Sequence, residues 1–339
     1  MRHVNVPVFI PHMGCRNACV FCNQRRISGK THFDIHTVAD ELENELSTVD
    51  GDCEAEIAFF GGSFTGIDRA DMLYLLGLAK HYVDIGKVQS VRLSTRPDYI
   101  DSEILDILAA HCVTDIELGL QSMSDRVLSA SKRGHDAECA RKACRLICER
   151  GFNLVGQMMI GLPESTLRDE VETAKEIILL GCSAARIYPT VVFCETELAE
   201  MMHAGGYTPL TMTDAVKRSA AVLEIFTEAD IPVIRLGLCA ADNLFEEGTM
   251  VGGAYHSAFG EMVYSELYYR KIREYIESHG IAEKIVGRDV MLYVPRGEVS
   301  KASGQKRVNK IRLCEDFGVR SVRIAECGDL QKYTVEIVC

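Results

Sequence analysis

Three cysteines stand close together near the start of the chain, in the stretch GCRNACVFC. They are Cys15, Cys19 and Cys22, and in a reducing compartment such spacing favours metal binding or catalysis over disulfides. A structural zinc ion normally takes four ligands, so it would need His12 or the distant Cys53 as well. Iron–sulfur clusters are also usually held by four cysteines, and a [4Fe–4S] cluster on three thiolates would leave one iron open to a small ligand.

Composition limits the classes of protein to consider. The chain has 339 residues, is 47% hydrophobic and carries a formal net charge of −12. The length and hydrophobic content suit one large α/β domain, alone or with a second, small domain. The negative net charge argues against a generic nucleic-acid binder, although a local basic patch could still bind RNA. No signal-peptide pattern and no uncharged apolar run of ~18 residues is present. We therefore expect a cytoplasmic protein with no membrane partner.

The cysteine motif resembles the signature of the radical S-adenosylmethionine (SAM) superfamily. The shared pattern is Cys15-x3-Cys19-x2-Cys22, with the aromatic Phe21 just before the last cysteine. The resemblance implies two cofactors, a [4Fe–4S] cluster and SAM, with the open iron chelating the amino and carboxylate groups of SAM. It also implies an enzyme that cleaves SAM reductively to a 5′-deoxyadenosyl radical.

Strand-like and helical segments alternate behind this motif. The predicted helical segments are 37–47, 70–83, 102–111, a stretch from Ser124, and 137–150, and the predicted strands are 4–10, 56–62, 90–97, 114–122, 152–163, 184–193 and 231–238. Alternation of this kind predicts an α/β fold with a parallel sheet, which binds its ligands at the carboxyl ends of the strands. The cysteine motif follows the first strand and so lies at that edge. The resemblance narrows the fold class to a partial (β/α)6 barrel.

A glycine turn ends the second predicted strand, in FFGGSFTG, and includes Gly61, Gly62 and Ser63. Glycines let a backbone approach a ligand closely. In the superfamily this turn, often Gly-Gly-Glu, contacts the amino group of SAM. Ser63 stands here in place of the glutamate, so the resemblance implies that backbone atoms of the turn make this contact.

Other polar residues stand at the ends of later strands. Glu117 and Gln121 lie four positions apart, on one face of a regular strand, and a polar cofactor would supply the partners that such side chains need. The resemblance implies that Gln157 binds the ribose of SAM, and Arg133 is placed to contact the SAM carboxylate. Arg96, in STRPDY, is expected to be an exposed loop charge.

Several motifs together resemble the radical SAM domain of the elongator catalytic subunit and its bacterial relatives. They are FFGGSFTGI, STRPDY, ELGLQSMSDRVLSASKRGH and MIGLP, and the likeness runs from about residue 5 to 265. Roughly 75 residues follow, too few for the acetyltransferase domain of elongator proteins. The short gap between the first two cysteines is shared with oxygen-independent coproporphyrinogen oxidase-like proteins.

The tail is predicted to form a small α+β module that resembles a KH-type RNA-binding domain. Its predicted elements are a strand (290–295), a short helix, a glycine loop, a helix (307–317) and two strands (319–326 and 332–338). The loop Gly304-Gln305-Lys306-Arg307 lacks the second glycine of the GxxG loop that KH domains use to clamp nucleotides. The candidate RNA-binding residues are Lys301, Lys306, Arg307 and Lys310.

These observations predict a radical SAM barrel over 1–245, a helical extension or linker over 246–285 and the KH-like module over 286–339. The predicted function is radical SAM modification of RNA, with tRNA as the expected substrate and a flavodoxin or ferredoxin as electron donor. Two other functions stay open, an anaerobic porphyrin-pathway or haem-trafficking protein and a non-catalytic iron–sulfur RNA-binding protein. A zinc-dependent structural module is a further alternative.

Overall fold

Contacts divide the chain into two compact units. The first consists of 1–210 and 225–254, and the second of 211–224 and 255–339. In the part of the chain that is described, no helix is both long and apolar enough to cross a membrane. The computed structural model describes residues 2–10, 13–15, 19–23, 33–49, 53–238 and 248–338.

The first unit is organised around a parallel sheet. Its strands are β1 (Arg2–Ile10), β2 (Cys53–Gly61), β3 (Ser90–Thr95), β4 (Val113–Gln121), β5 (Asn153–Ile160), β6 (Ala184–Pro189), β7 (Val191–Phe193), β8 (Val233–Leu236) and β9 (Met250–Gly253). Seven of them form one sheet in the order β1-β2-β3-β4-β5-β6-β8, and each neighbouring pair is parallel. The predicted α/β half-barrel is therefore confirmed, with seven strands rather than the six that (β/α)6 implies.

One strand prediction was wrong. The segment 184–193 was expected to be a single strand, but β6 ends at Pro189 and β7 pairs antiparallel with β9 in a separate sheet. Proline has no N–H to donate to a ladder, so the chain leaves the main sheet at this point. The Thr190 N–H, 2.8 Å from the carbonyl of Ile160, holds the departing chain against the end of β5.

Helices connect the strands of the first unit, and side-chain caps mark where several begin. The Asp68 carboxylate accepts from Ala70 N, and Thr166 with Asp169 forms a capping box. The helices of the first unit are α1 (Val38–Ser47), α2 (Arg69–Asp84), α3 (Ser102–Ala110), α4 (Asp125–Ala130), α5 (Ala137–Glu149), α6 (Leu167–Leu179) and α7 (Glu197–His203). The next helix in the chain, α8 (Met212–Glu228), lies mostly within the second unit. The positions of α1 to α5 agree with the five helical segments that the sequence predicts for this part of the chain.

The two faces of the main sheet differ in chemistry. On one face, a Cβ at Gly156 of β5 would meet Ile177 of α6, so this face carries the helices. Alternate residues of a strand point to opposite faces. Gln157 and, on the neighbouring strands, Glu117 and Arg186 therefore share the other face, where they hydrogen-bond to one another. We call this second face the polar face.

The second unit contains the predicted C-terminal α+β module. Its elements after α8 are α9 (Phe259–Ser278), α10 (Ala282–Ile285), β10 (Asp289–Val294), α11 (Val299–Ser303), α12 (Val308–Phe317), β11 (Ser321–Glu326) and β12 (Glu336–Val338). Strand β10 is central, parallel to β11 and antiparallel to β12. The buried Asn309 amide donates to the carbonyls of Ser265 and Ala302, which ties α12 to α9 and α11. The α+β module is confirmed, whereas its KH-like character and the three domain boundaries stay predictions.

Candidate functional site

The cysteine motif lies at the carboxyl end of β1, as predicted. Cys15 is exposed, Cys19 is buried and Cys22 is half-buried, and all three are free thiols. The Cys22 N–H donates to the carbonyl of Cys19 at 3.0 Å, which turns the chain between these two residues. The carbonyl of Val20 accepts from Leu198 N at 2.8 Å and anchors the second half of the motif. His12, the candidate fourth zinc ligand, lies outside the described residues.

The glycine turn after β2 packs directly against this motif. Ser63 N donates to the carbonyl of Met13 at 3.1 Å. A Cβ at Gly14 would collide with the Ser63 carbonyl, and a Cβ at Gly62 would collide with the Met13 carbonyl. The Cys15 Sγ lies 3.3 Å from the Ser63 hydroxyl. Close backbone approach thus positions the first cysteine, while contact of Gly61, Gly62 and Ser63 with SAM stays a prediction.

The expectation that Arg96 is an exposed loop charge was wrong. Its side chain is only 4% exposed, and its Nη1 lies 3.7 Å from the Cys19 sulfur. Arg133 is also buried, and its Nη1 donates to the same sulfur at 3.1 Å. The structure therefore brings Arg133 to a cysteine of the motif. Its predicted contact with the SAM carboxylate stays untested.

A carboxylate holds Arg96 in place. Both oxygens of Asp98 accept from Arg96 at 2.9 Å, and His135 Nδ1 lies 3.6 Å from Asp98. Burial alone would raise the pKa of the Asp98 carboxyl, but the neighbouring His135 and Arg96 hold that pKa well below its usual range. Burial lowers the pKa of His135, which favours its neutral form at pH 7. Asp98 is thus a charged carboxylate paired with the Arg96 guanidinium.

Gln121 ends β4 in an unusual conformation. Its φ is +66°, and the pairing of β4 with β5 shifts register between Gly119 and Gln121. Because of this bulge, simple alternation along β4 no longer determines which face of the sheet Gln121 occupies. Its Oε1 is buried and accepts no hydrogen bond from the described residues. An acceptor in that state suits a polar ligand that donates a hydrogen bond.

Three of the predicted SAM-binding residues, Gln121, Arg133 and Gln157, are neighbours of Gly119. Arg133 Nη2 donates to the Gly119 carbonyl at 2.5 Å, and Gln157 pairs with Gly119 in the sheet register. A Cβ at Gly119 would lie 3.0 Å from Gln121 Nε2, so Gln121 also borders this glycine. The side chains of Arg133 and Gln121 therefore meet at Gly119 near the carboxyl edge of the sheet, and Gln157 is the residue opposite Gly119 on β5.

Beneath this point, the polar face carries a row of charges that the sequence interpretation missed. Arg92 Nε lies 2.7 Å from Glu56, and its Nη1 lies 3.2 Å from Glu117. Arg186 approaches Glu117 at 2.6 Å, and the Gln157 amide donates to Glu117 at 2.8 Å. The sequence does indicate this row, because these charged residues interrupt otherwise apolar strands at positions that face the same side of the sheet. Gln157 is thus tied to the sheet, while its role towards the SAM ribose stays a prediction.

The donor set can be tested against the cofactor that the motif implies. Among the described residues, no three His, Cys, Asp or Glu side chains are placed to share a single metal ion. A cubane differs from a single ion because each thiolate binds a separate iron atom. Three free thiols on one motif, two guanidiniums at Cys19 and the orphaned Gln121 Oε1 fit an anionic cluster with a polar organic ligand beside it.

In the second unit, the candidate RNA-binding residues differ in availability. The Lys301 ammonium lies 2.8 Å from Glu298, so its charge is largely neutralised. Lys306 and Arg307 are exposed, and both have positive φ, so the loop after Gly304 turns these two cations outward into solvent. Lys310 is half-buried on α12. The exposed cationic surface of this loop is therefore centred on Lys306 and Arg307.

Comparisons with known proteins show the family of this chain. Two family models match the chain, the Radical SAM superfamily over residues 9–177 and the Radical_SAM C-terminal domain over residues 182–269. The chain is similar to Uncharacterized protein MJ0486 of Methanocaldococcus jannaschii, with 31% identity over 207 residues, 60% of this chain and 61% of that protein. It is also similar to the tRNA uridine(34) acetyltransferase of the same organism, with 28% identity over 229 residues, 66% of this chain and 38% of that protein.

A solved structure shares the fold of this chain. The archaeal Methanocaldococcus infernus Elp3 with an N-terminal deletion superposes with a TM-score of 0.60 and 22% identity, covering 82% of this chain and 63% of that one. The chain thus spans less than two thirds of each of these relatives. With the three-cysteine motif at the end of the first strand and both family models matched, the chain belongs to the radical SAM superfamily of enzymes, whose cofactors are a [4Fe–4S] cluster and SAM.

Proposed function

We propose that this enzyme cleaves SAM reductively and directs the 5′-deoxyadenosyl radical at an RNA substrate, tRNA above all, in the cytoplasm. The observation that carries the proposal is that Arg133 joins Gly119, where the unpaired Gln121 amide lies, to Cys19 of the cysteine motif. When bound, the cluster supplies the electron that splits SAM. A one-electron donor of the flavodoxin or ferredoxin type would reduce the cluster.

The chain's own residues have separable roles in this proposal. Cys15, Cys19 and Cys22 hold iron as thiolates. Gln121 Oε1 accepts a hydrogen bond from SAM, since it is buried and accepts none from the described residues. Within the motif, Val20 is 1% exposed and packs against Val192 and Leu198 in an apolar cluster.

The proposal of an RNA substrate rests on the relatives and on the second unit. One relative is named as a tRNA uridine(34) acetyltransferase, although this chain covers only 38% of it. Lys306 and Arg307 present two exposed cations on one loop, and cations that contact phosphates release counterions on binding. RNA affinity should therefore depend on salt through these two side chains.

The test is RNA binding at two salt concentrations. The double variant Lys306→Glu with Arg307→Glu should bind tRNA more weakly than wild type. Its log–log salt slope should fall by about 1.4 to 1.8 if each cation contacts one phosphate. The matched control replaces Lys284 of α10 and Arg288, the residue just before β10, by Glu; both are exposed, and this variant should bind as wild type does.

Two results would contradict the proposal. Equal affinity of wild type and the Lys306/Arg307 variant at low salt would remove the RNA clamp and favour the porphyrin-pathway alternative. A loaded cluster and bound RNA, with no 5′-deoxyadenosine formed under reducing conditions, would indicate a non-catalytic iron–sulfur RNA-binding protein. Mass spectrometry of the RNA after anaerobic incubation with SAM would then identify any modified base.

A further inference from the structure

Two buried guanidiniums converge on the sulfur of one cluster cysteine. Arg133 Nη1 donates to the Cys19 Sγ at 3.1 Å, and Arg96 Nη1 lies 3.7 Å from the same atom. Cys19, Arg96 and Arg133 are 9%, 4% and 5% exposed, so water screens these contacts weakly. Cys15, by contrast, is exposed and neighbours the neutral Ser63 hydroxyl. The two guanidinium contacts therefore distinguish Cys19 from Cys15.

Both arginines are fixed by contacts to other groups. Asp98 accepts two hydrogen bonds from Arg96, which also donates to the backbone carbonyl of Arg133. Arg133 Nη2 donates to the Gly119 carbonyl. Two guanidiniums and one carboxylate leave a net charge of about +1 beside the Cys19 sulfur, since burial favours neutral His135. This charge is held rigidly rather than on a mobile side chain.

We propose that Arg133, supported by Arg96, sets the reduction potential of the [4Fe–4S] cluster through its hydrogen bond to the Cys19 thiolate. Reduction adds one electron from a one-electron donor, moves no proton and breaks no bond at Cys19. The reduced cluster carries one more negative charge, so a fixed positive charge and an N–H···S bond stabilise it more than the oxidised cluster. Arg133 acts through Cys19 and is therefore a positioning residue.

The proposal rests on the cluster assignment but not on an RNA substrate. It also differs from the role that the sequence predicts for Arg133, which is contact with the SAM carboxylate. If Arg133 acts through Cys19, its effect on the reduction potential is present without SAM. If Arg133 acts through the SAM carboxylate, its effect on the reduction potential requires SAM. The two roles can therefore be separated by one measurement made with and without SAM.

The experiment is an anaerobic redox titration of the reconstituted full chain, without SAM or RNA, followed by electron paramagnetic resonance of the reduced cluster. Arg133→Gln should lower the ratio of reduced to oxidised cluster about tenfold at a fixed potential, which is about 59 mV for a one-electron couple. Arg133→Lys keeps the positive charge but loses the forked guanidinium, so its reduction potential should lie between those of wild type and Arg133→Gln. The control Arg126→Gln removes a half-exposed arginine that pairs with Asp169, and should leave the potential unchanged.

Two outcomes would overturn the proposal. The first is an equal potential for wild type and Arg133→Gln without SAM. The second is a shift that occurs only after SAM is added, which would assign Arg133 to the carboxylate. If Arg133→Gln does not retain the cluster, Arg96→Gln is titrated in the same way, and an unchanged potential there also overturns it. A wild-type chain that loads no iron would instead refute the cluster assignment itself.

Discussion

Replacing Arg92 by leucine should destabilise the first unit strongly. Arg92 is 13% exposed and reaches three carboxylates, Glu56 at 2.7 Å, Asp115 at 3.0 Å and Glu117 at 3.2 Å. Glu56 and Glu117 are 3% and 0% exposed, so the change leaves buried negative charge without its cation. Breaking a buried pair in this way costs about 3–5 kcal/mol. In the variant, Glu117 still has its contacts with Arg186 and Gln157. We therefore expect the loss in free energy of unfolding to lie in the lower half of that range.

The assay is thermal unfolding followed by circular dichroism. For a unit of this size, each kcal/mol corresponds to about 2–4 °C in Tm, so Arg92→Leu should lower Tm by about 6–16 °C. The matched control is Arg126→Leu, because Arg126 also pairs with a carboxylate at 2.9 Å but is half exposed. Exposed pairs contribute about 1 kcal/mol or less. Equal shifts in the two variants would refute the claim that the row on the polar face is a buried electrostatic network.

Two further predictions concern the upper part of the site. Gln121→Ala and Gln157→Ala should each weaken SAM binding about fivefold to tenfold in anaerobic calorimetry, because a lost hydrogen bond costs ~1 kcal/mol. The control Gln89→Ala changes an exposed glutamine and should bind SAM normally. Normal SAM binding by both the Gln121 and the Gln157 variant would show that these two residues do not belong to the SAM site. Asp98→Asn should lower the free energy of unfolding at pH 7, because the pKa of Asp98 is lowered in the folded state. That difference from wild type should shrink as the pH falls below about 4, where the unfolded carboxyl takes up its proton, and a constant difference in acid titrations would contradict the ion pair.

Much of the fold could be predicted because the signals are local. Apolar runs of strand length between helical segments indicate a parallel sheet, and the motif after the first strand then lies at the carboxyl edge. The end of β6 was missed although Pro189 stands within the predicted strand. A proline is a local signal, but the continuous apolar run beyond it concealed the change of sheet.

The site was predictable only in part, because its contacts join distant residues. Arg96 and Arg133 reach Cys19 across 77 and 114 positions, and no pattern in a single sequence links them. The bulge at Gln121 likewise depends on the register with β5. The row of charges on the polar face is different, because Glu56 and Arg92 stand at alternate positions of apolar strands. Aligning the predicted strands side by side would have revealed it.

The central claim is that the three-cysteine motif holds a cluster that cleaves SAM, and anaerobic reconstitution tests it most directly. The purified chain is loaded with iron and sulfide, reduced, mixed with SAM and assayed for 5′-deoxyadenosine. Wild type and Cys53→Ala should form it, whereas Cys19→Ala should lose both the cluster absorbance and the product, since each thiolate holds one iron. Zinc instead of iron in the wild-type chain, or 5′-deoxyadenosine formed equally by Cys19→Ala, would contradict the account.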